Sequence, residues 1–365
     1  MIVSIQFKNN PLLFQNPVAI IATDQPSGLK GCFARMEEAL KNNYYLAGFL
    51  SYEAGYAFEK CFPHEKQDFP LCYMGVYKSC EHALPWPKTF LIGKNLGNLR
   101  LNTLKEKYFS DIDLIRGHIA RGDVYQITYC IKLLFDFAGS PWGLYNSLLK
   151  RQPVPYPAYI ETSDFSILSL SPEKFLKKTY DRIVTKPMKG TWMRGDNFLD
   201  DLIQRLKFSR DKKNRAENVM IADLLRNDLG RIGAHVQAPR LFEVSSYRTL
   251  FQMTSTVSAS VPEKIPLEEL FSALFPSGSV TGAPKISAMQ VIKTLEQENR
   301  RIYTGAIGYI TPGRKMFFNI PIRTLLLRNG RGEMGIGGGI VWDSTAQGEW
   351  NEGLLKARFV TENGL

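Results

Sequence analysis

The feature that most limits what this chain can fold into is its C-terminal third. Apolar, β-rich runs follow one another there at 302–310, 316–328 and 334–341. Runs that meander in this way favour a large, mostly antiparallel sheet. Further strands are predicted at 17–22, 44–50, 71–77, 127–137, 157–162, 165–170 and 253–260. Between them lie amphipathic patterns at 32–42, 111–121, 141–150, 199–208, 212–229, 266–274, 284–297 and 346–358. Strands in this number with helices interspersed predict an α+β architecture, its helices packed outside the sheets.

The rest of the chain narrows the function class. With 365 residues, 44% hydrophobic and 22% charged, it reads as an ordinary soluble globular protein. No apolar run reaches the ~18–20 residues needed to cross a bilayer. The opening MIVSIQFKNNPLLFQNP has no basic segment leading into an apolar one, so a cytoplasmic location is expected and a membrane partner is not. Five cysteines form no CxxC pair and four histidines no HxxxH or HExxH spacing, which argues against a zinc site or disulfide framework. The net charge of +11 (46 basic against 35 acidic) suits an anionic substrate as well as it suits nucleic acid. Its densest run, Arg205 to Arg215, has no interleaved aromatics, so it reads as a solvated face and no nucleic-acid partner is expected. The stretch 83–103, with Pro85, Pro87, Gly93 and Gly97, is the best boundary, dividing a shorter region 1–103 from 104–365.

Several residues stand where packing alone would not put them. In RAENVMIADLLRNDLGRI, Glu217 precedes Met220 and Ile221 by three and four residues and shares their helical face. A carboxylate there is costly without a cation, unless it lies at the stripe's edge. Near the C-terminus, Ser344 and Gln347 suggest a capping box, and Glu349, Glu352 and Lys356 share a narrow strip of the helix that follows. A surface salt-bridge ladder is the ordinary alternative. Carboxylates without histidine or thiolate neighbours suit Mg²⁺, which takes oxygen ligands. In FPSGSVTGAPKISAMQ, a loop with Gly278 and Gly282 runs into a helix, a shape able to cradle an anion with help from Lys285. Gly337, Gly338 and Gly339 interrupt a strand, either for close approach of another group or as a bulge. KPMKGTWMRG places Lys186 and Lys189 around a Pro–Gly turn.

In order along the chain, GDVYQI, SLSPEKF, KPMKGTWMRG, AENVMIADLLRNDLGRI, GSVTGAPKISAM, YTGAIGYI, IPIRTLLL and GGGIVWDSTAQGEWNEGLLKA add up to a resemblance. Roughly residues 105–362 resemble the chorismate-binding enzymes, which include anthranilate, aminodeoxychorismate, isochorismate and salicylate synthases. The resemblance implies two stacked, mostly antiparallel sheets surrounded by helices, the fold of anthranilate synthase component I, with 1–103 a shortened contribution to the sandwich. It implies Mg²⁺ held by Glu217 and Glu352 with Glu349 close by, and substrate contacts from Tyr303, Arg323, Lys356, Gly282 and Gly338. Glu173 would be the general acid, and Thr191 would lie beside the substrate ring.

Two positions divide the subfamilies. Gln126 stands where isochorismate and salicylate synthases resemble one another in carrying a lysine base. Lys189, in PMKGT where anthranilate synthases usually read PIAGT, resembles the aminodeoxychorismate synthases instead. There the amine is the nucleophile at C2 of chorismate, ammonia displaces it at C4, and the product leads to p-aminobenzoate and folate. The ammonia usually comes from a glutamine amidotransferase subunit, for which no motif is present in this chain. The nearest alternative is anthranilate synthase component I, although the LLES motif of its tryptophan-regulated members is missing.

Overall fold

The computed structural model describes residues 1–84, 96–246 and 250–361. Within them the chain forms two antiparallel sheets of nine and ten strands. The predicted two-sheet architecture is the one found. In the first sheet, Arg331–Ile340 lies between Gln126–Phe137 and Thr324–Arg328. In the second, Leu250–Ser260 pairs with Arg182–Lys186, Met188–Met193 and Ala234–Ser246.

Three apolar clusters hold these layers. One is drawn from both sheets and includes Val3, Ile5, Ile160 and Leu326 from the first, Phe49, Ile307 and Phe317 from the second. A second cluster packs Leu29–Lys41, Lys212–Gly230 and Leu267–Leu274 on the second sheet, through residues such as Phe33, Ile221, Leu225 and Phe271. The third packs Lys105–Ala120, Pro141–Arg151, Lys285–Leu295 and Ala346–Thr361 on the first. Side chains alternate across a strand, so each sheet presents one apolar face to its partner and one to its helices. Both faces are buried, and for this reason the strands read as apolar runs.

The region before residue 84 contributes strands to both sheets: Ile2–Ile5 pairs with Tyr156–Glu161, and Tyr45–Leu50 with Ala306–Ile310. Most of the proposed boundary, 85–95, lies outside the described residues. Among the described residues no helix is long and apolar enough to cross a membrane.

The structure corrects the reading of several segments. The run 316–328 is two strands, Met316–Asn319 and Thr324–Arg328, parted at Pro321. In 302–310 only Ala306–Ile310 is strand. KPMKGTWMRG is no turn: Met188–Met193 is a strand with its register broken between Lys189 and Thr191, where Gly190 has φ +77°. A glycine in the left-handed region at a register break is a bulge, which re-aims the side chain beside it. The opposite holds at Gly337–Gly339, which pair one-to-one with Thr128–Cys130 without a bulge. Capping of the last helix falls to Thr345, whose hydroxyl accepts from Gly348 N at 3.2 Å, and not to Ser344.

Candidate active site

Beyond Met334 the strand Arg331–Ile340 loses its partner on one side. Leu325 is the last residue of Thr324–Arg328 to pair with it, opposite Met334. From Gly335 to Ile340 only Gln126–Phe137 is paired to it. The glycines occupy this half-open edge. A Cβ on Gly338 would stand 2.9 Å from Glu349 Oε2, 3.5 Å from Lys356 Nζ and 3.6 Å from Glu352 Oε1. On Gly339 it would collide with the Gln126 amide and lie 3.3 Å from Lys189 Nζ. The bare backbone therefore marks where side chains of one helix and two strands meet.

Each group reaches this place for a local reason. Lys189 is re-aimed by the Gly190 bulge, and Gly190 is packed so closely on Asn214 that a side chain there would clash. That contact docks the helix Lys212–Gly230, capped by Asp211, and brings Glu217 within the electrostatic reach of Lys189. The buried stripe of this helix is Asn218, Ile221, Ala222, Leu225 and Asp228, so Glu217 stands at its margin and not within it. Glu349 is held by Ser344 Oγ, which donates to Glu349 Oε1 at 2.6 Å. Lys356 Nζ donates to Gly337 O at 2.7 Å and to Glu352 Oε1 at 2.7 Å. Glu173 is buried; its Oε1 accepts from Ser279 Oγ at 2.7 Å and from Met188 N at 3.4 Å.

The charges act on one another across the cleft. Burial pushes the Glu173 carboxyl up to about 7, against the hydrogen bond from Ser279 and the pull of Lys189. Burial lowers the ammonium of Lys189, which Glu173, Glu217 and Glu352 support and Lys356 opposes. Glu217 and Glu349 are raised, by burial first, with the charge of Glu352 adding to both. Burial acts on Glu352 too, yet Lys356, Lys189 and Lys213 hold it below the usual carboxylate range. A carboxylic acid raised and an amine lowered in one cleft are shifted toward the forms that donate and accept a proton.

Glu217, Glu349 and Glu352 offer oxygen donors of the kind magnesium takes. The open flank of Gly338 adds room beside two of them, since no Cβ fills it. Among the described residues no three acidic, thiol or imidazole groups are drawn together tightly enough to hold an ion by themselves. An ion there would need oxygens from water or substrate as well, as magnesium commonly does.

The remaining predicted residues divide. Gln126 is buried, with Oε1 lacking a hydrogen-bond donor, and lies against Gly339. Gly282 (φ +151°) packs on the Gln126 carbonyl, so it positions that strand. Tyr303 is buried with its ring over Gly335, farther along the half-open edge. Arg323, with φ +51°, directly precedes Thr324–Arg328, where that strand parts from its neighbour. Thr191 belongs to the strand of Lys189, and its side chain lies outside what is described. Lys285 does not serve an anion cradle: its ammonium is 2.6 Å from the buried Asp228 carboxylate. Lys186 pairs with Glu243 at 3.1 Å. Sequence reasoning missed Ser279 and Lys213, and read Ser344 as a helix cap and not as the donor to Glu349. Polar residues in a glycine loop, a turn and a basic run carry no mark of which way they face.

The chain is similar in sequence and in fold to known proteins. The family model described as chorismate binding enzyme matches residues 86–362. The chain is 36% identical over 253 residues to aminodeoxychorismate synthase component 1 of Escherichia coli (strain K12), covering 69% of this chain and 56% of that protein. With the protein of the same name from Bacillus subtilis (strain 168) it shares 35% over 248 residues, 67% of this chain and 53% of that one. It thus spans about half the length of these relatives. In fold it is similar to anthranilate synthase component I from Streptococcus pneumoniae TIGR4, with a TM-score of 0.83 at 24% identity, covering 98% of this chain and 92% of that one.

Proposed function

This chain belongs to the chorismate binding enzymes, and from that premise we propose that it aminates chorismate at C4 to 4-amino-4-deoxychorismate. One observation carries the reading: Lys189, its proton loosened by burial, stands in the same cleft as the protonatable acid Glu173. An amine must lose its proton to attack, and a hydroxyl leaves only when an acid protonates it. The names of the relatives at 35–36% identity fit the same activity.

The amine of Lys189 adds to C2 of chorismate. Both ring double bonds shift, and the C4–O bond breaks as Glu173 gives its proton to the departing hydroxyl, releasing water. Ammonia then adds at C4 and gives a proton back to the Glu173 carboxylate, both double bonds shift back, and the C2–N bond breaks, returning its electron pair to Lys189. The new amine ends at C4. Ser279 and the Met188 amide hold the Glu173 carboxyl in place for both steps. Lys356, tethered to Gly337 O, supplies positive charge for the substrate's carboxylates. Glu217, Glu349 and Glu352 would hold a magnesium ion, whose charge neutralises the substrate carboxylate when bound. Gln126 leaves C2 without a lysine base to activate water.

Ammonia would come from a separate glutamine amidotransferase subunit. The helix Phe198–Arg210, next after the Lys189 strand, exposes Phe198, Leu199, Leu202, Ile203 and Leu206, apolar side chains a second protein could cover.

Incubation with chorismate, Mg²⁺ and an ammonium salt tests the reading. A product that becomes p-aminobenzoate only after a lyase is added is the expected result. Fluorescent anthranilate formed without lyase overturns it. Purification from the native host, with glutamine-dependent activity as the readout, tests the partner.

A further inference from the structure

Away from the reaction cleft, a half-open cavity of about 520 Å³ is lined by Arg100, Arg301, Arg328 and Arg331 over Leu134 and Leu326. Its size falls within the range of small-molecule sites. The arginines do not share the same fate. Arg301 is neutralised, with Nε 2.9 Å from Asp68 Oδ2 and a guanidinium nitrogen on Glu333. Glu333 is also met by Lys132 at 3.1 Å, so Asp68 and Glu333 already serve Arg301 or Lys132. The other three have no such partner among the described residues. Arg100 donates to Asn98 O at 3.2 Å and Arg328 to Asp68 O at 3.1 Å, both neutral carbonyls. Arg331 carries no ion pair among the described residues, although Asp136 is its cross-strand neighbour; Asp136 instead accepts from Asn98 Nδ2 at 2.5 Å.

The backbone makes this arrangement costly. Arg328 and Arg331 are joined by Asn329 and Gly330, with φ of +51° and +71°. Two positive φ values in a two-residue loop define a type I′ hairpin, which fixes the register tightly. That register sets Arg328 directly opposite Arg331. Like charges in that relation repel, and Arg100 brings a third to the same cavity. The floor beneath them is apolar, and the Phe135 ring occupies the space a side chain on Gly332 would need.

We propose that this cavity binds a small molecule carrying two or more anionic groups on an apolar body. Guanidiniums recognise carboxylates and phosphates through paired, charge-assisted hydrogen bonds, and Leu134 and Leu326 give the body an apolar contact. The site is separate from the reaction cleft and does not depend on the reaction proposed there.

Calorimetric titration in metal-free buffer with benzene-1,3,5-tricarboxylate, and with citrate as a tricarboxylate lacking the ring, tests this. The aromatic probe should saturate the protein and bind about tenfold more tightly than citrate. Arg328→Gln combined with Arg331→Gln should weaken it about a hundredfold, and Arg100→Gln alone about tenfold. These side chains are exposed, so the fold tolerates their loss. Lys356→Met, which removes the anion-binding amine of the reaction cleft, should leave the affinity unchanged. The proposal fails if the arginine variants bind as tightly as the parent, if Lys356→Met abolishes binding, or if no saturation occurs below about 10 mM. Equal affinity for citrate removes the apolar body from it.

Discussion

Two clusters of enclosed charge lie along the same strand, and they are built on opposite principles. Beneath Tyr303, Arg300 is fully satisfied: its guanidinium meets Glu296 at 2.6 and 2.8 Å, Thr128 O at 2.6 Å and Val280 O at 2.9 Å, and covers the Tyr52 ring at 4.4 Å. Glu53 closes the turn by accepting from Arg300 N at 2.6 Å and Arg301 N at 3.0 Å. A few residues on, at Gly337–Gly339, three glutamates and two lysines face a gap with one close ion pair between them, Glu352 with Lys356. The first cluster is closed and holds loops to sheets. The second is left incomplete, and burial lowers the proton affinity of Lys189 and raises those of Glu217 and Glu349. Charge held near charge marks chemistry only where partners are missing; where every donor is met, it marks architecture.

Substitutions should separate the two. Lys189→Ala should lower C4 amination by about 10⁴-fold or more, since the covalent step is lost, while thermal stability holds or rises because a buried ammonium has gone. Lyase-coupled p-aminobenzoate formation measures the first effect and calorimetry the second; unchanged amination would mean that Lys189 is structural. Arg300→Met should do the reverse and cost about 3–5 kcal/mol of stability in denaturant unfolding, because Glu296 is left buried and unpaired. If this variant instead stays stable and loses activity, the division drawn above is wrong.

Next in size, Glu173→Gln should slow turnover about 10²–10³-fold. In the parent protein the acid is available only while protonated, so rate should fall as pH rises through about 7. The glutamine variant should lack that alkaline limb, and a limb that persists would point to another group. The smallest effect is expected for Gly338→Ala. Its methyl would press on Glu349 Oε2 from 2.9 Å, and this flexible carboxylate end can move aside. A severalfold rise in the KM for chorismate, with stability unchanged, should follow from steady-state kinetics.

Much of the fold was legible because burial on both faces leaves apolar runs. All eight predicted helices are present, from Leu29–Lys41 to Ala346–Thr361. The strands missed include the short apolar runs Ile2–Ile5 and Leu12–Phe14, too brief to stand out, and others where the pattern breaks. Ala234–Ser246 is largely exposed and repeatedly shifted in register, and Arg182–Lys186 and Met188–Met193 carry lysines and a proline between them. The site was legible by another route. Glu217 and Glu352 stood out as carboxylates on partly buried helices, but only resemblance joined them, because spacing within a helix says nothing of what another helix brings. The reading of Lys189 as a turn residue failed because Pro187 and Gly190 look alike in a turn and in a bulged strand.

The half-open edge of Gly335–Ile340 has a consequence for how such a protein could change its chemistry. Main-chain amides are the same whatever the sequence, so a grip made by that edge survives nearly any mutation that keeps the chain bare enough to approach. On the function proposed above, selectivity is then written by the side chains around that edge, Gln126 on the paired strand and Lys189 and Glu173 across the cleft. New reactions on the same ring would be reached by exchanging those side chains while the hand that holds the molecule stays as it is.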